Sequence, residues 1–587
     1  MILPRSPVEV PPIPDEVSQY SSTRTHGRCC SWGDVTRGGR HRVLALRDLL
    51  TAQVFGLATL AGLRLAGLAP LPAAGIAGGS ALLLLVRVGR RSLLDWVTTM
   101  TRYRCRNGYR LGPTVDFRGS GEGAVGLHWD TDRVVAVIEL TAPPGTRTAL
   151  PPADSDVAER LPLGALARAL TQHDIALSEL NIVTHGRRSR AETAAGPVYE
   201  ELLGPLPAVS IGTVRLAVVF RPAQCPDAVA RRGGGKEGAS RAVTVAARRI
   251  VRLLAQRGYP ARLLTADEIR GAVLQITAGT DPRGIGRRWR HAVLGDRIIG
   301  GGACHPDAIS SELLSALWTT PTAGTAVLLR LRPGRTENTV RVGAAWQLAA
   351  APATDRLPAT PRVLVRHSVS THGRHRDALL SLLPIAPARS AAGIPTGEYP
   401  IADVARLRLP AAECGQLIGA AADGRAVAAR VVGAGVGTVL IAGDVGLSQQ
   451  VVFRAVATGA RVLVRTDRPH AWANLIGAIG NPDRLAVAGS AGQRTTGRTA
   501  LVVDGVPSPE PHAGLTVIRV DSDPAVRPST RPDVTIRQPD GSSHRVVLET
   551  GPSRIELALV TTPREAAILR RPAAAPDAGH ELPVDAS

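Results

Sequence analysis

The stretch VGTVLIAGDVGLSQQVVFRAVATGARVLVRTDR, from Val436 to Arg468, decides the fold of the C-terminal part of the chain. It begins with an apolar run of strand length, continues with apolar residues at helical intervals, and ends with a second apolar run. A helical segment at Ala471–Gly480 and a strand-like segment at Arg484–Gly489 follow. This β-α-β-α-β order predicts a parallel, doubly wound unit.

Regular apolar patterns continue on both sides of this unit. Leu127–Leu140 holds two apolar runs joined by a turn at Asp130–Asp132, which predicts a β-hairpin. Ala239–Gln256 carries apolar residues at helical intervals and a basic opposite face. The alternation of strands and helices predicts an α/β or α+β layer fold. Further strands are predicted at Leu180–Val183, Thr213–Phe220, Thr325–Leu331, Thr339–Leu348, Ala500–Val503, Leu515–Val520, Val534–Arg537 and Arg545–Leu548, and further helices at Leu161–Asp174, Val198–Leu203 and Leu313–Trp318.

The composition changes sharply towards the N-terminus, where two apolar stretches follow each other. The first runs from Leu49 to Ala69 with one charge, Arg64, and the second runs from Ala73 to Val86. Each is close to the roughly 20 residues that cross a hydrocarbon core of about 30 Å, although the second is somewhat short. Arginines flank both outer ends, and none lies in the turn predicted at Pro70–Pro72. This is the positive-inside pattern of a two-pass transmembrane hairpin with both termini in the cytoplasm.

A buried helical hairpin of a soluble domain is the alternative interpretation of the same two stretches. Small residues allow two helices to approach closely in either medium, so they do not distinguish the two interpretations. The flanking arginines favour the membrane. The small residues are Gly56, Ala61, Ala74, Gly75, Gly78 and Gly79.

A basic segment follows the second apolar stretch and also contains Trp96, Tyr103 and Tyr109. At the cytoplasmic leaflet, each basic residue contributes about 1 kcal/mol of attraction to anionic lipid. Aromatic residues suit the membrane interface. Nucleic acid could be bound by the same chemistry, but the neighbouring membrane segments favour lipid, and no nucleic-acid partner is expected. The predicted lipid-binding residues are Arg87, Arg90, Arg91, Arg102, Arg104, Arg106 and Arg110.

Charge and cysteine content limit the classes of function. The 587 residues carry a formal net charge of +21, and Lys236 is the one lysine among 70 basic residues. Because GC-rich coding explains such complete use of arginine more simply than stability does, the charge is weak evidence for a polyanionic partner. The six cysteines are scattered without a CxxC motif, which indicates reduced thiols in a cytoplasmic compartment.

No complete catalytic motif is found. Lys236 follows three glycines, but the leading glycine and the Ser/Thr of a Walker A loop are both missing, so a surface loop is predicted there. Ala488–Gly492 resembles a nucleophile elbow with its first glycine replaced, and the polar residues after it do not suit the helix that an elbow requires.

Two aspartates of the doubly wound unit are weak ligand candidates. Asp444 follows the first strand and Asp467 ends the second, at about the spacing of a dinucleotide site, but the GxGxxG loop is absent. A membrane-tethered enzyme that uses a nucleotide or nucleotide sugar is therefore the alternative function. Four potential metal ligands lie close together in the sequence: His367, His372, His375 and Asp377. Because neither an HExxH motif nor a cysteine accompanies them, a solvated loop is predicted there in preference to a metal site. No catalytic residue, cofactor or metal is predicted.

These patterns predict an α/β (α+β) cytoplasmic region behind an N-terminal two-helix transmembrane hairpin. The predicted domains are a flexible basic arm (1–44), the hairpin (45–90), the basic juxtamembrane segment (91–112), a first α/β domain (113–275), a looser middle segment and linker (276–398), a second, doubly wound domain (399–565) and a disordered tail (566–587).

The order of several segments carries a family resemblance. After the two apolar stretches come Gly126–Leu140, Leu161–Gly186, Gly196–Pro207, Val229–Leu254, Leu264–Ile269, Cys414–Gly433 and Gln449–Trp472. In this order they resemble the EccE family, a membrane component of the actinobacterial type VII (ESX) secretion system.

The resemblance implies a structural role in protein export. Members lie at the periphery of an inner-membrane complex with the EccB, EccC and EccD components, of which EccC is an FtsK-like ATPase. Because no catalytic residues are established for the family, the resemblance transfers none to this chain. The predicted function is thus a non-catalytic subunit of a type VII secretion complex in the cell inner membrane.

Overall fold

The computed structural model describes residues 46–569, except 89–90, 106–110, 120–122, 142–146, 151–159, 191–192, 207, 319, 321, 351–355, 358–359, 388–392, 410–413, 489–496, 511–513 and 540–543. The chain divides into two compact units, Met1–Val86 and Arg87–Ser587. The arm predicted at 1–44 and residues 570–587 of the predicted tail lie outside the described residues.

Helices are distributed along the whole described chain. They are α1 (Leu46–Leu65), α2 (Pro70–Leu85), α3 (Leu93–Arg104), α4 (Leu163–Arg168), α5 (Ala195–Leu203), α6 (Pro226–Ala230), α7 (Gly235–Ala255), α8 (Ala266–Ile276), α9 (Ser311–Trp318), α10 (Arg362–His367), α11 (His375–Ser381), α12 (Ile401–Arg406), α13 (Val445–Ala457), α14 (Pro469–Ile479) and α15 (Pro563–Leu569).

Strands begin directly after the first unit. They are β1 (Arg87–Val88), β2 (Arg91–Ser92), β3 (Thr114–Phe117), β4 (Val125–Asp130), β5 (Arg133–Leu140), β6 (Arg147–Leu150), β7 (Thr171–Gln172), β8 (Ile175–Ala176), β9 (Glu179–Arg187), β10 (Ile211–Phe220), β11 (Ala261–Leu263), β12 (Gly286–Arg287), β13 (Ala292–Leu294), β14 (Arg297–Cys304), β15 (Gly324–Pro333), β16 (Thr339–Ala349), β17 (Ser368–Ser370), β18 (Gly397–Pro400), β19 (Gln416–Ala420), β20 (Ala426–Ala429), β21 (Thr438–Ala442), β22 (Val462–Thr466), β23 (Leu485–Val487), β24 (Ala500–Asp504), β25 (Thr516–Asp521), β26 (Val534–Arg537), β27 (Arg545–Thr550) and β28 (Ser553–Leu559).

The first unit contains a helical hairpin of α1 and α2. The helices approach closely where Gly56 faces α2, because a Cβ there would lie 3.1 Å from the Cβ of Ala81. The turn lies four residues earlier than predicted, at 66–69, and α2 begins at Pro70, which suits the first turn of a helix. Among the described residues, no helix meets the combined length and hydropathy requirement for crossing a membrane. The helical hairpin is thus observed, whereas its predicted membrane crossing is not.

A 13-stranded antiparallel sheet organises the first half of the second unit, in the order β12-β13-β14-β16-β15-β9-β10-β5-β4-β3 with β11, β17 and β18 at its margins. Both faces of this sheet are buried. Successive side chains of a strand point to opposite faces, so neighbouring residues of one strand enter different cores. On β5, Ile138 joins the core that includes α7, whereas Val137 joins the core that includes α8 and α11. The hairpin predicted at Leu127–Leu140 is confirmed as β4 and β5.

Residues 276–398, predicted as a looser segment and linker, are more ordered than the sequence indicates. They supply the strands from β12 to β17 to the first sheet, together with α9, α10 and α11. A strand with several glycines has few apolar side chains and so gives no clear strand pattern in the sequence. β14, which contains Gly300–Gly302, is an example. The predicted strands β15 and β16 and the predicted helix α9 are confirmed in this segment.

An 11-stranded sheet organises the second half, in the order β23-β22-β24-β25-β21-β26-β27-β28-β19-β20-β6. The first six strands of this order are parallel, and the remaining pairs are antiparallel. The doubly wound unit predicted from Val436–Arg468 is therefore confirmed as β21, α13 and β22, followed by α14 and β23.

The two sheets exchange segments across the sequence. β6, from the N-terminal part, pairs with β20 of the second sheet, and α5 packs into the core of that sheet. In return, β18 pairs with β16 of the first sheet. The predicted domain limits remain a prediction, but these exchanges join sequence regions that it separates.

A buried ion pair fixes the end of the described chain. Arg454 on α13 donates to both carboxylate oxygens of Glu565 on α15, at 2.8 and 2.9 Å, and both side chains are almost fully buried. The same guanidinium donates to the carbonyls of Leu417, Ile418 and Val560. Such complete hydrogen bonding is what a buried charge pair requires.

Candidate functional site

The hairpin of the first unit leaves large apolar side chains uncovered. Among the described residues, nineteen large apolar side chains are exposed, and eleven of these lie between Leu49 and Val86. Small residues make the contact between the helices, since Ala52, Ala73 and Ala77 are its buried side chains. Exposed apolar surface of this extent on a folded unit marks an interaction with a membrane or another protein.

The small residues of α2 differ in what they contact. Added Cβ atoms on Gly75, Gly78 and Gly79 would meet nothing within 4 Å, whereas one on Gly56 would touch α2. The helix contact therefore uses Gly56 and alanines, and the other three glycines predicted to pack the hairpin face away from it. Arg64 donates to the carbonyl of Leu68 at 2.9 Å and so lies against the turn.

The predicted lipid-binding segment is in part a packed helix, α3. The ring centroid of Trp289 lies 5.9 Å from that of Trp96, in a tilted contact, and 5.4 Å from that of Tyr103, in an edge-to-face contact. These two aromatic residues therefore pack α3 against Trp289 within the second unit, and their place at a membrane interface stays a prediction. The side chains that α3 exposes are Val97, Met100, Thr101, Arg102 and Arg104.

The seven predicted lipid-binding arginines are only partly described. Arg102 and Arg104 are exposed on α3. Arg87 and Arg91 belong to the short strands β1 and β2, whose pairing is antiparallel, but their side chains lie outside the description. Arg90, Arg106, Arg110 and the aromatic Tyr109 lie outside the described residues.

The two aspartates proposed as ligands lie on strands that are not neighbours. Asp444 follows β21 and Asp467 follows β22, and β24 and β25 lie between these strands. Three strand spacings place the two strand ends roughly 14 Å apart. In a dinucleotide-binding fold the corresponding strands are adjacent, so this order does not bring the two carboxylates to one ligand.

Each aspartate also has a local environment of its own. Asp444 caps α13, because its Oδ1 accepts the backbone N–H of Leu447 at 2.6 Å. This is the usual role of an aspartate before a helix. Asp467 is exposed, and its carboxylate lies so close to Gly505 that a Cβ there would come within 2.2 Å of Oδ1.

A third aspartate, not identified from the sequence, is the buried anchor of this sheet edge. Asp504 at the end of β24 accepts hydrogen bonds from Thr466 (3.0 Å), Arg468 (2.6 Å) and the indole of Trp472 (2.9 Å). Burial raises the pKa of Asp504, and these donors more than offset it, so the pKa lies below its ordinary value. Its position at a strand end was visible in the sequence, but its three donors lie 32 to 38 residues earlier, so no local motif connects them to it.

The glycine-rich loop before Lys236 is confirmed as a turn that precedes α7. Gly233, Gly234 and Gly235 all have positive φ, which only glycine adopts readily. The preceding Arg232 donates to Asp174 at 2.6 Å, and this hydrogen bond is the main reason that the pKa of Asp174 is lowered. The basic residues before the loop thus stabilise a carboxylate of the chain itself.

The polar cluster of histidines is only partly assembled. The rings of His372 and His375 lie 5.8 Å apart, and both line a cavity of about 250 Å³ with the floor Gly300–Gly302. Asp377 is partly buried, which raises its pKa. Within the described residues, no group of three or more potential metal ligands occurs. The elbow-like stretch Ala488–Gly492 lies mainly in the undescribed residues 489–496.

Comparison with known proteins finds similarity over part of the chain. Residues 208–300, from β10 to β14, match the family model described as "Putative type VII ESX secretion system translocon, EccE". The chain is also 27% identical over 231 residues to the ESX-5 secretion system protein EccE5 of Mycobacterium marinum. That alignment covers 37% of this chain and 56% of the relative, so the chain spans little more than half of the relative's length.

This two-sheet α/β protein is thus similar, over part of its length, to components of type VII secretion systems. The resemblance to the EccE family predicted from the sequence is confirmed by both matches.

Proposed function

We propose that the chain is a non-catalytic assembly subunit of a type VII secretion complex, anchored in the cell inner membrane by its helical hairpin. The observation that carries this proposal is the exposed apolar surface of the hairpin in a chain that resembles the EccE family. Within this proposal, the hairpin passes the membrane twice and both termini lie in the cytoplasm.

The membrane supplies the burial that the hairpin lacks. A large apolar side chain moved from water to an apolar environment contributes about 1.5–3 kcal/mol. Because these eleven side chains are between 37% and 90% exposed, covering them contributes on the order of 10–20 kcal/mol, which is comparable to the stability of a typical domain. Lipid or neighbouring transmembrane helices must cover a surface of this size.

The second unit supplies the cytoplasmic part of the subunit. Arg102 and Arg104 on the exposed side of α3 are available to anionic lipid, and Val97 and Met100 accompany them. The rest of the unit presents sheet and helix surfaces to other secretion subunits, for which the EccB, EccD and EccC ATPase classes are the expected partners. Neither nucleic acid nor a cofactor has a role in this proposal.

Co-purification from native membranes tests the proposal. A tagged full-length chain is extracted in mild detergent, and the accompanying proteins are identified by mass spectrometry. We expect an FtsK-like ATPase and other multi-span membrane proteins of the secretion system. Recovery of the chain alone, from an extract in which other membrane complexes stay intact, would contradict an assembly role.

A further inference from the structure

The cavity with the floor Gly300–Gly302 has a volume of about 250 Å³ and lies on one face of the first sheet. Gly300 and Gly302 of β14 lie opposite Leu348 and Trp346 of β16. Residues that lie opposite each other on paired strands point to the same face. Because glycine has no side chain, this face of β14 leaves open space beside two large apolar residues.

The two glycines are the reason that the cavity is open. A Cβ on Gly300 would lie 2.9 Å from the side chain of Leu357, and a Cβ on Gly302 would lie 3.1 Å from the ring of Trp346. Both Leu357 and Trp346 line the cavity. A side chain at either glycine would therefore enter the space that the strand now leaves free.

The walls of the cavity are apolar from its base to its opening. Trp346 and Leu348 line the base and are buried. Leu357 and Val365 also line the cavity, but they are 38% and 64% exposed. Exposed apolar side chains that continue the wall of a cavity indicate a ligand that extends out of it.

Polar groups of the lining form hydrogen bonds within the chain. The hydroxyl of Ser368 accepts the indole N–H of Trp346 at 2.8 Å, and Nδ1 of His375 lies 2.9 Å from the hydroxyl of Thr371. The hydroxyl of Ser370 accepts the backbone N–H of the second residue after it, at 3.2 Å. Since these groups already have partners, the cavity suits an apolar ligand better than a polar one.

The volume limits the size of the bound group. It exceeds the roughly 150 Å³ of an engineered apolar cavity that binds benzene, so more than six carbon atoms fit. It is smaller than the pockets of about 300–1,000 Å³ that enclose a drug-sized molecule. A narrow apolar chain, with one part inside and the rest leaving past Leu357 and Val365, meets both limits.

The cavity adjoins α3 through a single glycine. A Cβ on Gly373 would lie 2.7 Å from the side chain of Thr99 on α3 and 2.7 Å from the ring of Trp289. The backbone N–H of Gly373 also donates to the carbonyl of Trp289 at 2.8 Å. Arg290, the next residue, belongs to the lining of the cavity. The opening is therefore next to the segment that holds α3.

The exposed side of α3 indicates where an apolar chain comes from. It presents Val97 and Met100 together with Arg102 and Arg104. A helix with apolar and basic exposed side chains suits a membrane surface. In the sequence α3 follows the hairpin after residues 86–92 alone. Membrane lipid as the source of the chain rests on the proposed function, whereas the apolar cavity itself does not.

We propose that this cavity binds the acyl chain of a membrane phospholipid, with Trp346 and Leu348 at its base and Leu357 and Val365 at its opening. The bound lipid would attach the second unit to the membrane beside α3, in addition to the anchor that the hairpin supplies. No charge on the lining is needed for this binding, because burial of the apolar chain drives it.

Photochemical labelling of the full-length chain tests the proposal. The chain is reconstituted in phosphatidylcholine vesicles that contain a small fraction of phosphatidylcholine with a diazirine at the end of one acyl chain. After illumination, mass spectrometry of the peptides locates the label. We expect label both in the hairpin and in the peptide that contains Leu357 and Val365. Diazirine-bearing palmitate in a parallel sample distinguishes a free fatty acid from the phospholipid.

The outcomes separate this proposal from the proposed function. Label in the hairpin alone would overturn the cavity as a lipid site and leave the membrane anchor intact. Label at the cavity without label in the hairpin would support the cavity and contradict the anchor. Label at the cavity from palmitate alone would overturn the assignment to a phospholipid, and label at neither place would overturn the site.

A matched pair of variants on α10 locates the binding. Val365 lines the cavity, whereas Val363, which is also exposed, is not part of the described lining. Val365→Asp should lower the label at the cavity at least about fivefold, because an acyl chain there would remove water from a carboxylate. Val363→Asp should be labelled as the wild type is.

The hairpin serves as the internal standard for both variants, since its label should not change. Because both valines are exposed, neither substitution is expected to disturb folding, and thermal unfolding checks this. Equal labelling of the cavity in the wild type and in Val365→Asp would overturn the assignment.

Discussion

The two units of the chain differ in what covers their apolar side chains. In the described part of the second unit, eight large apolar side chains are exposed across about 420 residues, whereas the hairpin exposes eleven within forty. The second unit buries its apolar surface between two sheets and their helices. The hairpin buries only small residues between its helices and directs its large side chains outward.

This difference separates stability that comes from within the chain from stability that comes from outside it. The second unit has the internal cores and the saturated ion pair of a self-supporting fold. The hairpin resembles such a fold in secondary structure but lacks an enclosed core. Substitutions in the second unit should therefore change unfolding, and those in the hairpin should change association.

The largest effect is expected at the buried ion pair. Glu565→Ala leaves the guanidinium of Arg454 buried without its carboxylate, so the free energy of unfolding should fall by about 3–5 kcal/mol. Chemical denaturation of the purified full-length chain measures this. Glu556→Ala, on the exposed side of β28, is the control and should change stability by less than about 0.5 kcal/mol.

An apolar replacement of the whole pair sharpens this prediction. Arg454→Met combined with Glu565→Met should be less destabilising than Glu565→Ala alone, because no unpaired charge remains. Equal losses from the two variants would indicate that packing, not charge, fixes α15.

A pH effect of intermediate size is expected from His128, which lies buried on β4. Burial lowers its pKa to about 4, although the charge of Asp130 acts in the opposite direction. Between pH 6.5 and 4 the unfolded chain therefore binds a proton that the folded chain does not, so stability falls as the pH falls. At pH 4.5 the contribution is on the order of 2–3 kcal/mol.

Denaturation at pH 7 and at pH 4.5 measures this contribution. His128→Gln should lose less stability between the two pH values than the wild type, whereas His470→Gln, at an exposed position, should behave as the wild type. A pH dependence that is unchanged in His128→Gln would exclude this histidine as its source.

The helix contact of the hairpin should respond to substitution at one glycine and not at another. Gly56→Leu forces a side chain against Ala81 and should cost on the order of 1–3 kcal/mol of helix packing. Gly62→Leu is the matched control on the same helix, because its Cβ would meet nothing within 4 Å. The amount of partner ATPase recovered per tagged chain should fall only for Gly56→Leu. A comparable loss for both variants would place the important contact outside the hairpin.

The smallest effects are expected at the two aspartates suggested by the sequence. Asp444→Ala removes the cap of α13 and should cost about 1 kcal/mol. Asp467→Ala alters an exposed residue and should change stability by less than about 0.5 kcal/mol. Thermal unfolding with and without added nucleotides measures both. A nucleotide-dependent shift that is lost in both variants would revive the enzyme hypothesis.

The sequence predicts the local elements well and their partners poorly. The apolar periodicity around Val436–Arg468 identifies β21, α13 and β22, because alternation of this kind depends on neighbouring residues. The order of the strands depends on contacts between distant residues, so the sequence does not reveal it. For that reason Asp444 and Asp467 look closer in the sequence than they are in the sheet. The same limitation hides the exchange of β6 and β18 between the two sheets.

The candidate sites show the same contrast. The apolar character of the hairpin is readable from residue types alone. The contact of Trp96 and Tyr103 with Trp289, almost two hundred residues away, is not visible in the sequence. The apolar cavity with the floor Gly300–Gly302 is formed by separate segments of the sequence, and no local motif marks it.

Extraction of native membranes that contain the full-length chain tests the central claim most directly. The membranes are washed first with high salt and then with alkaline carbonate, and the chain is followed in pellet and supernatant. The account predicts that the chain stays in the pellet through both washes, because the hairpin is covered by lipid. Release by high salt would mean that charges such as those of Arg102 and Arg104 alone hold it, and release by either wash would contradict a membrane-embedded hairpin.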